Sequence, residues 1–347
     1  MLVTEKTNGT QDSVQAMDES DFRLRSGEWV EVRSADEIAR TLDAQGTLDG
    51  LPFMPEMIEF CGRRFRVVRQ ALKTCVEVGP GDYPIREFRR NDIVLLEGLR
   101  CSGAMHGGCQ RACMFFWRKA WLRKAEGGQA QTRVDGAANE QLQAKLKTMT
   151  TPTRYFCQST ELIRVTKPDR IHPMRILLKC FQDVQSGAVG IMAMSRLILV
   201  PLYRKIRDKL FGRPRLRGTL TRTPVGTLAL QPGEVVEIKS LAEMRETLDS
   251  RGRNRGLVCD IELEKFCGTR DRVRSRLERM ISEPTGEMRK VEGTVLLEGN
   301  LCLCARALGG CPRLEYCYWR EVWLKRVNDT PTSASPPQSA ADQTGSV

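Results

Sequence analysis

Histidine is nearly absent from this chain: of 347 residues only His106 and His172 are histidines. A three-histidine metal centre, or chemistry relayed through several imidazoles, is thereby excluded. Aromatic residues make up 6%, so any core leans on Leu, Val, Ile and Met. The longest apolar stretch, Ala188–Tyr203, contains Arg196 and Pro201, and it is too short and too interrupted to span a bilayer as a helix. There is no glycine-rich phosphate loop, no dinucleotide fingerprint and no serine nucleophile elbow. The first 21 residues are polar and acidic where a secretory signal would be basic and then apolar, so the expected compartment is the cytoplasm.

Against these absences stand thirteen cysteines. An odd count in a reducing compartment argues against a full disulfide framework and turns attention to metal binding, catalysis or burial. Hydrophobic content of 41% with 28% charged residues is ordinary for a globular protein, and the length suggests two or three domains. The net charge of +12 is unevenly spread. Between Tyr203 and Arg222, Arg204, Lys205, Arg207, Lys209, Arg213, Arg215, Arg217 and Arg222 face a single acid, Asp208. Such a patch suits nucleic acid, anionic lipid or an acidic polymer.

The chain repeats itself. GEWVEVRSADEIARTLDAQGTLDGL at 27–51 aligns without gaps on GEVVEIKSLAEMRETLDSRGRNRGL at 233–257. The match continues through Phe60-Cys61-Gly62 onto Phe266-Cys267-Gly268, Val94–Gly98 onto Val295–Gly299, and Trp117-Arg118-x-x-Trp121-Leu122 onto Trp319-Arg320-x-x-Trp323-Leu324. We read a duplication, with repeat domains at 22–124 and 228–326. Between them lie a linker at 125–150 (with one short helix at 139–147) and a helical, basic middle segment at 151–227. The ends, 1–21 and 327–347, have the composition of disordered tails. Within each repeat, alternating strands begin at Trp29 and Val235. Ser34-x-x-Glu37 and Ser240-x-x-Glu243 form capping boxes, and further strands run over 64–69, 92–96, 273–277 and 294–297. The expected fold class is α+β, each repeat a strongly bent sheet or SH3-like barrel with short helices. At i, i+4 spacing the tryptophan pairs 117/121 and 319/323 suit a core better than a binding platform. Met174–Phe211 has a helical pattern that admits two readings: a pair of helices packed on the repeats, or an interfacial helix followed by basic residues that hold anionic lipid.

One loop concentrates the chemistry. Cys101, His106, Cys109 and Cys113 place four soft ligands within thirteen residues, and Gly103, Gly107 and Gly108 allow a sharp fold-back. The spacing suits a structural zinc site without matching a standard finger, and Cys61 and Cys75 are possible additional ligands. An iron–sulfur cluster on Cys101, Cys109, Cys113 and either Cys61 or Cys75 is the alternative metal reading. A third reading makes Cys109 a nucleophile with His106 as its base, between Arg100 and Arg111. The plainest is a set of buried thiols with no cofactor. In the second repeat His106 aligns with Leu308 and Cys113 with Glu315, while Cys302 and Cys311 persist and Cys304 and Cys317 are new. That points to loss of the site there rather than its rebuilding. Asp49, Glu56, Glu97, Glu298 and Glu321 show no paired-carboxylate arrangement.

Gly50-Leu51-Pro52-Phe53-Met54-Pro55-Glu56-Met57, Cys61-Gly62-x-x-Phe65-x-Val67, Arg100-Cys101, His106-Gly107-Gly108-Cys109-Gln110 and Trp117-x-x-x-Trp121-Leu122 resemble the motifs of a bacterial family of duplicated-domain proteins with no established activity. Lys73-Thr74-Cys75, Tyr155-x-Cys157-Gln158-x-Thr160-Glu161, Gly252–Leu257 and Tyr318–Glu321 extend the resemblance over most of 22–326. It implies a tie to polysaccharide or secondary-metabolite biosynthesis, near whose genes such proteins tend to be encoded. The expected function is a non-catalytic, metal-stabilised accessory protein that docks on a protein partner or an anionic membrane surface. The alternatives are an enzyme using the cluster, as a metal Lewis acid or through Cys109 and His106, and a nucleic-acid binder using the basic segment. The last ranks lowest because no aromatics interleave the basic run.

Overall fold

Ser34 and Ser240 start helices as their sequence contexts predict. In the computed structural model the Ser34 hydroxyl accepts from the Glu37 N–H at 3.3 Å while the Glu37 carboxylate accepts from the Ser34 N–H at 2.9 Å. Ser240 and Glu243 repeat both bonds. The helices that follow, Ala35–Thr41 and Leu241–Arg245, are short, and each buries an apolar side chain, Ile38 or Met244, against a sheet. The structure describes residues 24–79, 82–127, 136–168, 190–211, 216–226, 228–302 and 313–327, with a few helical positions between 174 and 184. His172, Cys304, Leu308, Cys311, Arg213, Arg215 and both expected tails (bar Val327) lie outside them.

Two five-stranded antiparallel sheets dominate. The first runs Trp117–Arg118, Ile93–Leu96, Arg64–Gln70, Trp29–Val32, Leu122–Lys124 in spatial order. Its two edge strands are separated in sequence only by the 3-10 turn Lys119–Trp121, so the sheet curls strongly. The second runs Tyr316–Arg320, Thr294–Leu301, Arg270–Arg276, Val235–Ile238, Leu324–Arg326, with the turn Glu321–Trp323 in the same place. Val30 lies opposite Phe65, and Val236 opposite Asp271 at equivalent positions. The long strand of each sheet changes register once, between Val67 and Arg69 or between Val273 and Ser275, which bends it.

The tryptophans of the two pairs, Trp117, Trp121, Trp319 and Trp323, are fully buried. Trp121 Nε1 donates to Thr41 Oγ1 at 3.1 Å, and Trp323 Nε1 to Thr247 Oγ1 at 2.9 Å, each tying the closing turn to the capped helix. They are core, as their spacing suggests. Mixed sheet and helix of this kind is an α+β architecture.

The first core reaches further along the chain than residue 124. Ala138 and Leu142 of the helix Gly136–Lys145 are buried in it, as are Leu162 and Val165 of the helix Gln158–Val165. Thr166–Pro168 then adds a strand to Ile85–Phe88. Residues expected to form a linker and the start of a separate middle segment are thus held by the first core, which takes their buried apolar side chains out of water.

The two sheet regions meet across a buried ionic cluster. Arg111, Glu283 and Arg313 are at most 5% exposed. Arg111 pairs with Glu283 at 2.8 Å and with Glu315 at 3.2 Å; Arg313 pairs with Glu315 at 2.9 Å and also with Glu283. The Glu77 N–H donates to the other Glu283 oxygen at 3.0 Å. Burial alone would push the Glu283 carboxyl up, but Arg313 and Arg111 hold it below its ordinary value. Arg100 spans the same seam, donating to the carbonyls of Ala112 and Leu314 at 2.9 Å each. Removing one member of such a cluster strands the opposite charge in a dry place. Glu283→Ala should therefore lower unfolding free energy by about 3–5 kcal/mol. Chemical denaturation measures this, and a loss below about 1 kcal/mol would show that the seam is wet or optional.

Candidate functional site

The loop from Cys101 to Cys113 is closed at its base. Arg100 bridges Met114, and the Cys101 N–H donates to the Cys113 carbonyl at 2.8 Å. At its tip the His106 and Gly108 N–H groups both donate to the Gly103 carbonyl, at 2.9 and 3.0 Å. Gly103 has φ +70°, and a Cβ there would sit 1.9 Å from the Cys109 carbonyl oxygen. Only glycine fits. The fold-back expected from the glycines is present, but no helix begins at Cys109. Ala112 has φ +52°, so Cys109 and Cys113 are not related by a helical turn. Gln110 instead pins the loop to the second sheet region: its N–H donates to the Arg279 carbonyl and its Oε1 accepts from the Glu278 and Arg279 N–H groups.

His106 is 1% exposed and fully engaged. Nδ1 stands 2.8 Å from Glu56 Oε1, and Nε2 stands 3.1 Å from the Phe156 carbonyl oxygen. Carbonyl and carboxylate oxygens accept, so both ring nitrogens serve as donors and neither has a lone pair aimed at a metal or at Cys109. Glu56, 7% exposed, also accepts from the Met105 N–H at 3.1 Å. Burial pushes its carboxyl up, but the His106 hydrogen bond and charge outweigh that and leave it below the ordinary 4.5. This histidine–carboxylate pair, fifty positions apart in the chain, does not show in the sequence as a paired-acid motif, because Glu56 has an imidazole rather than a second acid as its partner.

The thiols gather beside this pair. Cys101, Cys109, Cys113 and Cys157 line one small cavity of about 30 Å³, whose wall also includes His106, Arg111, Ile281 and Arg313. Cys157 caps the N-terminus of the helix Gln158–Val165, and that helix is held by Gln158, which donates to the Pro52 and Phe116 carbonyls at 2.9 Å. It was not among the residues the loop spacing singled out; the Tyr155-x-Cys157-Gln158 motif was the one signal that could have found it. Cys61 sits in the first core, its thiol pushed up to about 12 by burial, and the pocket includes neither it nor Cys75. Burial likewise raises Cys113 to about 12 and Cys157 to about 11, and pushes Cys101 up strongly. Cys109 Sγ accepts from the Ile281 N–H at 3.4 Å. At the place of Cys113, the second region has Glu315, and the two meet, Cys113 Sγ to Glu315 Oε1 at 3.6 Å. Among the described residues no three Cys, His, Asp or Glu side chains converge closely enough to hold a metal ion as they stand.

No protein-family model, curated protein or solved structure matches the chain. The chemistry of the pocket has to be read from its own residues. The basic residues of the middle segment lie apart from it, Arg204, Lys205, Arg207 and Lys209 on a helix spanning Ile191–Phe211 and Arg217 beyond it.

Because the folded-state value for Glu56 is depressed, its contribution to stability is whole above its ordinary 4.5 and is lost as pH falls through the lower folded value. Glu56→Gln should thus lose stability relative to wild type by a constant amount above about pH 5 and by a shrinking amount towards about pH 3. Denaturation midpoints taken across that range check the sign. A wild-type-minus-variant difference that stays flat through it would mean that the pair is not ionised in the way the geometry demands.

Proposed function

We propose that the protein is a non-catalytic accessory protein whose duplicated, SH3-like barrels are locked together beside a structural metal site, and that the ligands of that site are Cys101, Cys109, Cys113 and Cys157. The observation that carries this reading is the shared cavity of four thiols, three from the glycine-rich loop and one from the adjacent helix N-terminus. His106 drops out of the expected ligand set because both of its nitrogens already donate. These side chains do not converge closely enough to hold an ion as they stand, so binding requires the sulfurs to move together.

Four thiolates around one cation are the donor set that zinc prefers. The size of the space favours a single ion: about 30 Å³ is roughly room for two waters, less than a four-iron cluster requires. Burial holds Cys101, Cys113 and Cys157 protonated at neutral pH, which disfavours a nucleophilic role for those three thiols. A metal reverses that balance by releasing the protons on binding, so affinity rises with pH. Arg111 and Arg313 also line the cavity, already paired with Glu283 and Glu315. The role of such a site is to fasten the loop, and through Gln110 and Arg111 the second region, to the first. A protein partner in polysaccharide or secondary-metabolite biosynthesis is the setting that the motif resemblance suggests.

Elemental analysis of the full chain purified without oxygen or chelator should find about one zinc per chain. Cys157→Ser should abolish most of it, and His106→Gln should retain it. Retention by Cys157→Ser with loss in His106→Gln would restore the loop-only ligand set. Iron with acid-labile sulfide and a brown colour would replace the single ion by a cluster, and a metal-free protein whose thiols fail to bind added zinc would sink the reading.

A further inference from the structure

The helix Ile191–Phe211 turns its apolar side the wrong way for a core element. Met192, Leu199, Leu202, Tyr203, Ile206 and Leu210 recur at the three- and four-residue spacing of one helix face, and every one is at least 50% exposed, with Met192 at 86% and Leu210 at 69%. The face opposite is the one that packs, with Met194 and Pro201 buried. Single exposed apolar residues are commonplace, but a stripe that recurs over about five turns of helix, interrupted by Ser195 and Arg196, is not. By the same periodicity Arg196 and Lys209, both exposed, flank the stripe on its two sides. Exposed Arg217 and Arg222 follow the helix, while its own sequence holds one acid, Asp208.

We infer that this helix lies flat in the surface of an anionic phospholipid membrane, its stripe sunk among the acyl chains and its flanking cations at the headgroup phosphates. Two features select that occupant. An apolar stripe bordered by basic residues is the pattern of an interfacial helix, in which burial supplies the hold and charge selects anionic lipid. A protein groove would complement the stripe equally well but gives no reason for cations on both of its margins and beyond its end. The helix does not enter further: among the described residues no helix is long and apolar enough to cross a membrane. Nucleic acid is the poorer match, because the exposed stripe carries one aromatic ring, Tyr203, and offers no row of rings for base stacking. This inference is independent of the thiol pocket, since the helix contributes no residue to its lining.

The test is sedimentation of the full chain with vesicles of mixed phosphatidylglycerol and phosphatidylcholine, and with phosphatidylcholine alone. The wild type should pellet with the anionic vesicles and weaken as salt rises. The double variant Leu199→Asp/Ile206→Asp should lose binding by at least about tenfold, given the apolar area withdrawn, with circular dichroism and solution mass unchanged. Arg196→Glu/Lys209→Glu should lose the preference for anionic over neutral vesicles. The inference is overturned if the wild type ignores anionic vesicles at low salt, or if the aspartate variant binds them as well as the wild type. It is equally overturned if the wild type is a dimer that the aspartate variant dissociates, which would assign the stripe to a second copy, or if only DNA or RNA is bound in a salt-dependent way.

Discussion

Everything at the centre of this protein depends on two arginines sharing one carboxylate. Arg111 comes from the cysteine-rich loop and Arg313 from the equivalent position of the second sheet region, and both close on Glu283 where water does not reach. Desolvating three such groups is costly, and the cost is offset only while all of them are present with their further partners, Glu315 and the Glu77 N–H. The seam is therefore poor as a source of raw stability and strong as a determinant of geometry. It accepts one arrangement of the two regions and rejects sliding, which a purely apolar contact would tolerate.

That geometric strictness also fixes part of the wall of the thiol pocket, which includes Arg111 and Arg313. Cys113 lies one side chain away from Glu315 and two residues from Arg111, so its place is set by the ionic cluster. Cys101 is set by the base of the loop, and Cys157 by a helix that Gln158 ties into the first core. Cys109 is held from the other region, by the Ile281 N–H. Four thiols thus reach one cavity from four separately anchored pieces of backbone. The His106–Glu56 pair does a different job beneath them: it supports the loop tip from the inside, occupying every polar atom of the ring.

How much of this could be read from the sequence differs by the range of the interaction involved. Ser34 with Glu37 and Ser240 with Glu243 are three residues apart, and the capping boxes they signal are present. Strand alternation at Trp29 and Val235 likewise reports local burial, and the tryptophans' spacing marks them as core. Pairings across the chain were hidden. Glu56 and His106 are fifty positions apart, and Arg111 and Glu283 172; nothing local to any of them records the partner. Cys157 was overlooked for the same reason, because ligand spacing was sought within a single loop while the cavity recruits from the next element. The helix Gly136–Lys145 is nearly free of amphipathic pattern, so its two buried residues, Ala138 and Leu142, gave too weak a signal to remove it from the linker.

The two regions have the same strand order, the same bulge and the same tryptophan-to-threonine bond, yet they differ at one pair of equivalent positions that touch, Cys113 and Glu315. Identical residues at these two facing positions would bring like against like: thiol on thiol, or carboxylate on carboxylate beside Glu283. Replacing one cysteine by glutamate puts an acid opposite both arginines and leaves a thiol free to face the pocket. Asymmetry at this one pair therefore satisfies the charges of the seam and keeps the sulfur donors on one side. A single copy could not have both, because Arg111 needs an acceptor at the place where Cys113 already stands.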